Sequence, residues 1–140
     1  MDYDKVVQLE LPAEHKYLNI VSACIGAMME RIENVSQPEI TTYNIQLAVQ
    51  EACTNIVRHA YKGQSGGRIE VTMTLEDKQR FIIDLADAGK SFVLPKDIDI
   101  NLNEPNIHGY GLFLMHQLLD EVDYKSDQNN NYWHLVKNLQ

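Results

Sequence analysis

The feature of this sequence that most restricts its fold is a change of periodicity near the middle of the chain. Residues 68–76, RIEVTMTLE, and residues 80–87, RFIIDLAD, alternate apolar and polar side chains. This alternation is typical of strands that bury one face. Because only a few residues around Asp77 and Lys78 separate the two segments, they are predicted to pair as an antiparallel hairpin.

Two segments before this hairpin have the three- and four-residue spacing of amphipathic helices. The first is predicted from about Glu14 to Arg31, and the second from Thr41 or Thr42 to about His59. The apolar stripe of the first helix is Leu18, Val21, Cys24 or Ile25, Met28 and Ile32. The stripe of the second helix is Ile45, Ala48, Val49, Ala52, Cys53 and Ile56.

The remaining segments add strands at both ends and one more helix. Residues 6–11 are predicted as a strand that ends at Pro12, and residues 123–126 and 132–139 as two closing strands. A helix is expected to begin just after Gly109 and Gly111 in GYGLFLMHQLLDEV, with Leu112, Met115, Leu118, Leu119 and Val122 as its apolar face. Residues 88–108 form a polar stretch too long for an ordinary connection, and such loops are often lids.

Composition limits the classes of protein to consider. A chain of 140 residues with 44% hydrophobic residues is expected to form a single soluble domain over residues 1–140. The net charge of -8 is spread along the chain, which argues against a nucleic-acid surface, because phosphate contacts require clustered Lys and Arg. No apolar run approaches the roughly 20 residues of a membrane span, and no secretory signal is evident, so a cytoplasmic location is expected.

Neither cysteines nor histidines suggest a transition-metal site. The two cysteines, Cys24 and Cys53, lie at apolar helix positions and are predicted to be buried free thiols. The five histidines are scattered without the spacing of a zinc site.

A polar face on the second helix is the first candidate site. Glu51, Asn55 and His59 are four residues apart, so they stack on one side of a helix and can face one cleft. The Asn55 amide oxygen suits magnesium, and the Glu51 carboxylate could accept a proton from a hydroxyl or from water. Lys62, about one turn further on, could reach an anionic phosphate. Taken alone, the same pattern also fits a solvated helix face.

Two further motifs could bind a nucleotide. Asp87 ends an apolar strand and could accept a hydrogen bond from an exocyclic amine, while Gly89 allows close backbone approach to a flat ligand. Gly109 and Gly111 precede the last helix, where free backbone amides could face a phosphate. Each motif has a simpler alternative, a strand-to-loop turn for the first and a flexible start of a helix for the second.

The three motifs together resemble a known family. EACTNIVRHAY, DAGKSF and GYGLFLMHQLLDEV are similar to the N, G1 and G2 boxes of the histidine-kinase-like (GHKL) ATPase superfamily. Within it, LPAEHKYLNIV and LFLMHQLLDEVDY resemble the anti-sigma-factor serine kinases of the RsbW and SpoIIAB type. The resemblance covers nearly the whole chain. It implies an α+β fold of the Bergerat type, a two-layer sandwich in which helices cover one face of a mostly antiparallel sheet.

The resemblance also implies a function, a serine/threonine-protein kinase that uses ATP and Mg²⁺. Glu51 would be the general base toward a serine of the protein substrate, and Asn55 the magnesium ligand. The remaining residues implied to bind the nucleotide are His59, Lys62, Asp87, Gly89, Gly109, Tyr110, Gly111 and Leu112. The implied partners are a STAS-domain anti-sigma-factor antagonist, which is phosphorylated, and a sigma factor, which is sequestered. Members of this kind commonly form homodimers, and neither nucleic acid nor a membrane is an expected partner.

The chain departs from the family pattern at several positions. Ser91 replaces the second glycine of the G1 pattern, and Asn130-Asn131 stands where the family often has Gly-Thr before the last strand. Asn131 could replace the missing hydroxyl through its amide. The first helix lacks an arginine that some relatives have, with Asn19 near that position, and the 88–108 stretch is poor in glycine.

Two alternative functions remain open at this point. The first is a protein-binding switch that senses nucleotide without catalysis, which would not need a base such as Glu51. The second is a free-standing ATPase module of a histidine kinase, although no helix pair carrying a phosphoacceptor histidine is evident.

Overall fold

A computed structural model describes residues 4–62, 65–77, 79–91, 107–127 and 129–140, with only the backbone described at residues 107–109. The strands are β1 (Lys5–Pro12), β2 (Arg68–Glu76), β3 (Arg80–Asp87), β4 (Glu121–Ser126) and β5 (Asn131–Asn138). The helices are α1 (Leu18–Met29), α2 (Pro38–Asn55) and α3 (Ile107–Leu118). A short 3₁₀ turn, His15–Tyr17, precedes α1, and a π-helical turn, Ile56–Ala60, follows α2.

The five described strands form one antiparallel sheet in the order β1-β2-β3-β5-β4. The predicted hairpin is confirmed, because β2 and β3 pair directly and Glu76 lies opposite Arg80 next to the turn. Asp77 adopts a φ of 47° in this turn, a conformation that Asp tolerates better than most residues. Since β5 lies between β3 and β4, its first residue, Asn131, lies opposite Asp87, the last residue of β3.

The core lies between one face of the sheet and the helices. The alternation in β2 and β3 places every second residue in this core, including Ile69, Met73, Ile83 and Leu85. The helices contribute their apolar stripes to the same cluster, among them Leu18, Val21, Ile25, Ile45, Val49 and Met115. The alternate residues of β2 and β3 are exposed or half-buried, apart from Ile82. The predicted α+β two-layer fold is therefore confirmed.

The apolar stripe predicted for α2 is buried throughout. In α1, Ile25 belongs to the buried stripe, because it is fully buried, whereas Cys24 is half-buried. Both cysteines are free thiols. No helix among the described residues is long and apolar enough to cross a membrane.

Several helix boundaries differ from the prediction. α2 begins at Pro38 and not at Thr41 or Thr42, because the fixed φ of proline suits the first turn, where its missing N–H costs nothing. α1 begins at Leu18, after the 3₁₀ turn. α3 ends at Leu118, so Val122 belongs to β4 and not to the helix.

The prediction for Gly109 and Gly111 was wrong. Both residues lie inside the first turns of α3 and do not precede it. Gly111 is the fifth residue of the helix, so it lies beyond the first four residues, whose amides lack intrahelical partners. The predicted lid at 88–108 falls largely on residues 92–106, which lie outside the described residues.

Candidate nucleotide site

The helix that carries the N-box residues changes form before it ends. In the turn Ile56–Ala60 the Tyr61 amide donates to the Ile56 carbonyl, 3.3 Å away, five residues back. Asn55 and His59 are four residues apart, which is more than one turn of an α-helix, 3.6 residues, and less than one turn of the wider π-helix. The wider turn therefore reduces the rotation around the helix axis between Asn55 and His59, and both side chains border the small pocket described below. No periodic signal in the sequence indicates this turn.

Tyr61 joins the end of this helix to the sheet. Its hydroxyl donates to the Arg68 carbonyl at 2.9 Å and accepts from the Ala88 amide at 2.8 Å. The first contact lies at the start of β2, and the second lies just past the end of β3. Tyr61 therefore fixes the loop after β3 against the π turn, a role that sequence reasoning did not identify.

The loop after β3 packs directly against the backbone of the π turn. The Lys90 amide donates to the Ala60 carbonyl at 2.7 Å. A Cβ atom at Gly89 would lie 2.3 Å from the same oxygen and 2.6 Å from the Ala60 carbonyl carbon. Gly89 is thus required for close backbone approach, as predicted from its type, but the atoms that it approaches are those of Ala60.

The structure brings parts of two motifs to one small pocket. Asn55 and His59 border it from the helix, and Asp87 and Lys90 border it from the end of β3 and the following loop. Tyr124 and Trp133, whose ring centroids are 4.8 Å apart, complete the wall together with Ile56 and Ala60. The pocket encloses about 10 Å³, which is room for about one water molecule. Lys90 and Trp133 were not among the predicted site residues.

A larger cavity of about 290 Å³ lies on another side of Asp87. It is bordered by the end of β3, the start of β2 and the residues before it, including Tyr61, Gly67, Arg68 and Glu70. Asp87 is therefore the one predicted site residue that borders both of these spaces.

Asp87 has defined hydrogen-bond partners. Its Oδ1 atom accepts from the Gly89 amide at 2.9 Å and from the Asn131 side-chain amide at 2.8 Å. Its Oδ2 atom receives no hydrogen bond from the described residues. Asp87 is buried, and this burial raises the pKa of its carboxyl above the ordinary value of 3.8, while the hydrogen bonds from Asn131 and Gly89 act in the opposite direction.

The N box and the G2 motif meet at Glu51. A Cβ atom at Gly111 would lie 2.8 Å from the Glu51 Oε2 atom, so the carboxylate rests directly against the α3 backbone. This contact explains why a glycine occupies the fifth position of a helix despite its poor helix propensity.

The other predicted site residues occupy different settings. Lys62 is exposed beyond the end of the helix, and Tyr110 is exposed on α3 with its ring 6.4 Å from that of Phe113. Leu112 is buried in the core at 3% exposure, so its side chain faces away from solvent. Gly109 lies in the first turn of α3.

Asn55 offers one indication of a missing ligand. Its Nδ2 atom is buried and has no hydrogen-bond partner among the described residues. Buried amides are normally satisfied, and Nδ2 is a donor, so this atom fits an acceptor such as a phosphate oxygen, while Mg²⁺ would be held by Oδ1 of the same side chain. The described residues contain no cluster of three His, Cys, Asp or Glu side chains for a metal ion. Magnesium bound with nucleotide does not need one, because phosphates and water supply most of its ligands.

The fold and this site together define a class of ATP-binding domain. Residues 11–137, which span the antiparallel sheet, α2 and the Asp-x-Gly turn, match the family model of the histidine kinase-like ATPase domain. The chain belongs to this family. The solved structures described below share the fold of this chain.

The relatives define a narrower branch. The serine-protein kinase RsbW of Listeria monocytogenes is 33% identical over 135 residues, 90% of this chain and 82% of that protein. RsbW of Bacillus pumilus is 32% identical over 133 residues, 87% of this chain and 79% of that protein. The predicted resemblance to RsbW-type kinases is confirmed, and a protein serine/threonine kinase is the enzyme class of these relatives.

Two solved structures share the fold. The structure of the RsbU and RsbW domains of a Mycobacterium tuberculosis protein superposes with a TM-score of 0.70 at 18% identity. This match covers 96% of the present chain but 32% of that chain. A histidine kinase domain of a blue-light activated kinase from Erythrobacter litoralis superposes with a TM-score of 0.58 at 21% identity, covering 92% of this chain and 62% of that one.

Proposed function

We propose that this protein is an ATP-dependent serine/threonine-protein kinase that also acts as an anti-sigma factor. It would bind a sigma factor and phosphorylate a STAS-domain antagonist. The observation that carries the proposal is the convergence of Asn55, His59 and Asp87 on one pocket, while the Glu51 carboxylate lies against Gly111 of α3. The RsbW relatives, which are named serine-protein kinases, support it.

The side chains suit an adenine nucleotide. The Oδ2 atom of Asp87, to which none of the described residues donates, could accept a hydrogen bond from the exocyclic amine of adenine, whereas guanine would present a carbonyl oxygen there. Lys90 and Lys62 are exposed cations near the ends of the loop and the helix, suited to phosphates. His59 borders the same pocket. The small volume of this pocket means that its side chains must move apart when the base is bound.

Phosphoryl transfer needs mainly positioning and neutralisation of charge. Asn55 would hold Mg²⁺, which supplies the charge neutralisation at the phosphates when it is bound. Glu51 would accept the proton of the substrate hydroxyl as its oxygen attacks the γ-phosphorus and ADP leaves. The contact with Gly111 limits the positions that the Glu51 carboxylate can take, which favours a fixed base.

The macromolecular partners are proposed from the relatives alone. A sigma factor and a STAS-domain antagonist are the partners that an RsbW-type kinase is expected to have, and a homodimer is the expected assembly. The proposed contact surface is α1 and the turn after it. Ile20 on α1 is exposed at 48%, so this helix offers apolar contact area.

The nucleotide site is tested by calorimetric titration with ATP and ADP, with and without magnesium, on the wild type and Asp87→Asn. We expect magnesium-dependent binding that the variant loses. Trp133, the single tryptophan, borders the pocket, so its fluorescence should change on binding and report the same affinity. Wild-type protein that binds neither nucleotide would refute the proposed function.

Catalysis is tested with labelled ATP and purified STAS-domain proteins. Glu51→Gln should bind ATP normally and lose phosphoryl transfer, by about 100-fold or more for a general base. Glu39→Gln is the matched control, since it is the same substitution on an exposed first-turn residue of α2 and should keep full activity. Normal transfer by Glu51→Gln would show that Glu51 is not the base. ATP binding without transfer by the wild type would favour the non-catalytic switch.

A further inference from the structure

The two departures from the family pattern at Ser91 and Asn131 contact each other. The Ser91 hydroxyl donates to Asn131 Oδ1 at 2.8 Å. The Asn131 amide nitrogen in turn donates to Asp87 Oδ1 at 2.8 Å and to the Gly89 carbonyl at 2.9 Å. These bonds form a chain from the exposed Ser91 to the buried Asp87, here called the Ser91–Asn131 relay.

The relay satisfies the Asn131 side chain completely. Both amide hydrogens have acceptors, and the amide oxygen has a donor. Asn131 is 1% exposed, so an unsatisfied amide at this position would be costly. All three bonds require the same orientation, because a flipped amide would present its oxygen to Asp87 Oδ1 and to the Gly89 carbonyl, both of which are acceptors.

The relay acts on one oxygen of the Asp87 carboxylate, Oδ1. Asn131 lies opposite Asp87 in the strand pairing, and both hydrogen bonds to the carboxylate end on Oδ1. This arrangement fixes the rotation of the carboxylate and leaves Oδ2 available. The bond to the Gly89 carbonyl also ties the loop after β3 to β5.

We propose that Asn131, held in place by Ser91, is a positioning and specificity residue for adenine, because it fixes the Asp87 carboxylate with Oδ2 as the acceptor for the exocyclic amine. This inference rests on the proposed function, since it concerns the same nucleotide site. Ser91 and Asn131 together supply the hydrogen bond to Asp87 that a single hydroxyl donor could supply, although each residue alone departs from the family pattern.

The proposal is tested with a pair of variants of equal shape. Asn131→Thr keeps one hydroxyl donor, and Asn131→Val removes it, while both residues suit a strand. Asn131→Val should weaken ATP binding at least about tenfold, because the bond that it removes ends on a carboxylate. Asn131→Thr should stay within about threefold of the wild type. Asn138→Val, the same substitution at an exposed position at the other end of β5, is the control and should bind ATP normally.

Ser91 is tested by coupling. Ser91→Ala should weaken ATP binding about two- to fivefold in the wild type, as expected for one neutral hydrogen bond, and have no effect in the Asn131→Val background. Ser91 is exposed, so this change carries little risk for folding. Equal affinities for Asn131→Thr and Asn131→Val, or an equal loss from Ser91→Ala in both backgrounds, would overturn the proposal.

A second readout does not depend on nucleotide. The carboxyl pKa of Asp87, measured by NMR titration, should rise further in Asn131→Val, because that variant lacks a bond that lowers this pKa. It should stay close to the wild-type value in Asn131→Thr. The other titratable groups around the two cavities that Asp87 borders are unchanged in both variants: His59, Lys90, Tyr124, Tyr61, Arg68 and Glu70.

The outcomes separate this inference from the proposed function. Failure of the wild type to bind ATP refutes the function, while the titration still decides whether Asn131 controls Asp87. Normal ATP binding with an unchanged Asp87 pKa in Asn131→Val refutes the relay and leaves the function standing.

Discussion

Gly89→Ala is the substitution for which the structure gives the clearest magnitude. The added methyl carbon would lie 2.3 Å from the Ala60 carbonyl oxygen, and 2.6 Å from both its carbonyl carbon and its Cβ. Two of these three atoms belong to the backbone, so no change of rotamer relieves the overlap. The loop after β3 must therefore move away from the π turn.

The cost has two parts. Forcing a methylene-sized group into a packed site costs about 1 to 3 kcal/mol. The displacement also strains the 2.7 Å bond from the Lys90 amide to the Ala60 carbonyl, which contributes about 1 kcal/mol. We expect the free energy of unfolding to fall by about 2 to 4 kcal/mol. For a domain of this size that corresponds to a lower Tm by roughly 6 to 20 °C.

Urea unfolding followed by circular dichroism and by the fluorescence of Trp133 measures this change directly. The matched control is Gly26→Ala in α1, where the new methyl would lie 3.2 Å from Gln46 Nε2, the end of a flexible side chain. That change gains up to about 1 kcal/mol of helix propensity, while a small shift of Gln46 Nε2, which donates to the Ser22 carbonyl at 2.8 Å, offsets part of the gain, so stability should change by less than about 1 kcal/mol. A Gly89→Ala protein within 1 kcal/mol of the wild type would refute the reasoning, because the loop would then move freely.

Three further predictions concern the site and the core. Asp87→Asn should raise the Tm at neutral pH while losing ATP, because burial raises the Asp87 pKa and so makes its ionised form costly. This advantage should shrink as the pH falls through the folded-state pKa toward the ordinary value of 3.8; a more stable wild type at pH 7 would contradict it. Gly111→Ala should keep the Tm but reduce phosphoryl transfer at least about tenfold, because the added methyl group displaces the Glu51 carboxylate. Normal phosphoryl transfer by this variant would show that the position of Glu51 does not depend on Gly111. A thiol reagent at pH 8 should label the half-buried Cys24 in the folded protein, and Cys53 only after unfolding, because burial raises the pKa of Cys53 to about 12. Rapid labelling of both cysteines in the folded protein would contradict this prediction.

The strongly periodic parts of the fold could be predicted from the sequence. The alternation in residues 68–76 and 80–87 led to the correct hairpin, because the side-chain period of a strand is read directly. The apolar stripe of α2 was also predicted in full, since three- and four-residue spacing is specific to helices.

The failures came from contacts that sequence periodicity does not encode. Nothing local distinguishes the π turn at Ile56–Ala60 from the α-helix before it. Gly109 and Gly111 are poor helix formers, yet α3 includes both, and the Glu51 carboxylate lies against Gly111. The hydrogen bond between Ser91 and Asn131 joins residues 40 positions apart, so each appeared as a separate departure.

The position of β5 in the sheet has a consequence for how the protein is made. β5 is the fifth strand in chain order, yet it lies between β3 and β4. While the ribosome is still synthesising the preceding residues, β3 has an unpaired edge and β4 has no neighbour in the sheet. A nascent chain that stops before Asn131 would therefore expose an aggregation-prone edge and lack the partner of Asp87. The proposed nucleotide binding therefore requires the complete sheet, which forms only after β5 has been synthesised. Chains truncated before β5 are expected to be bound by chaperones or degraded by proteases.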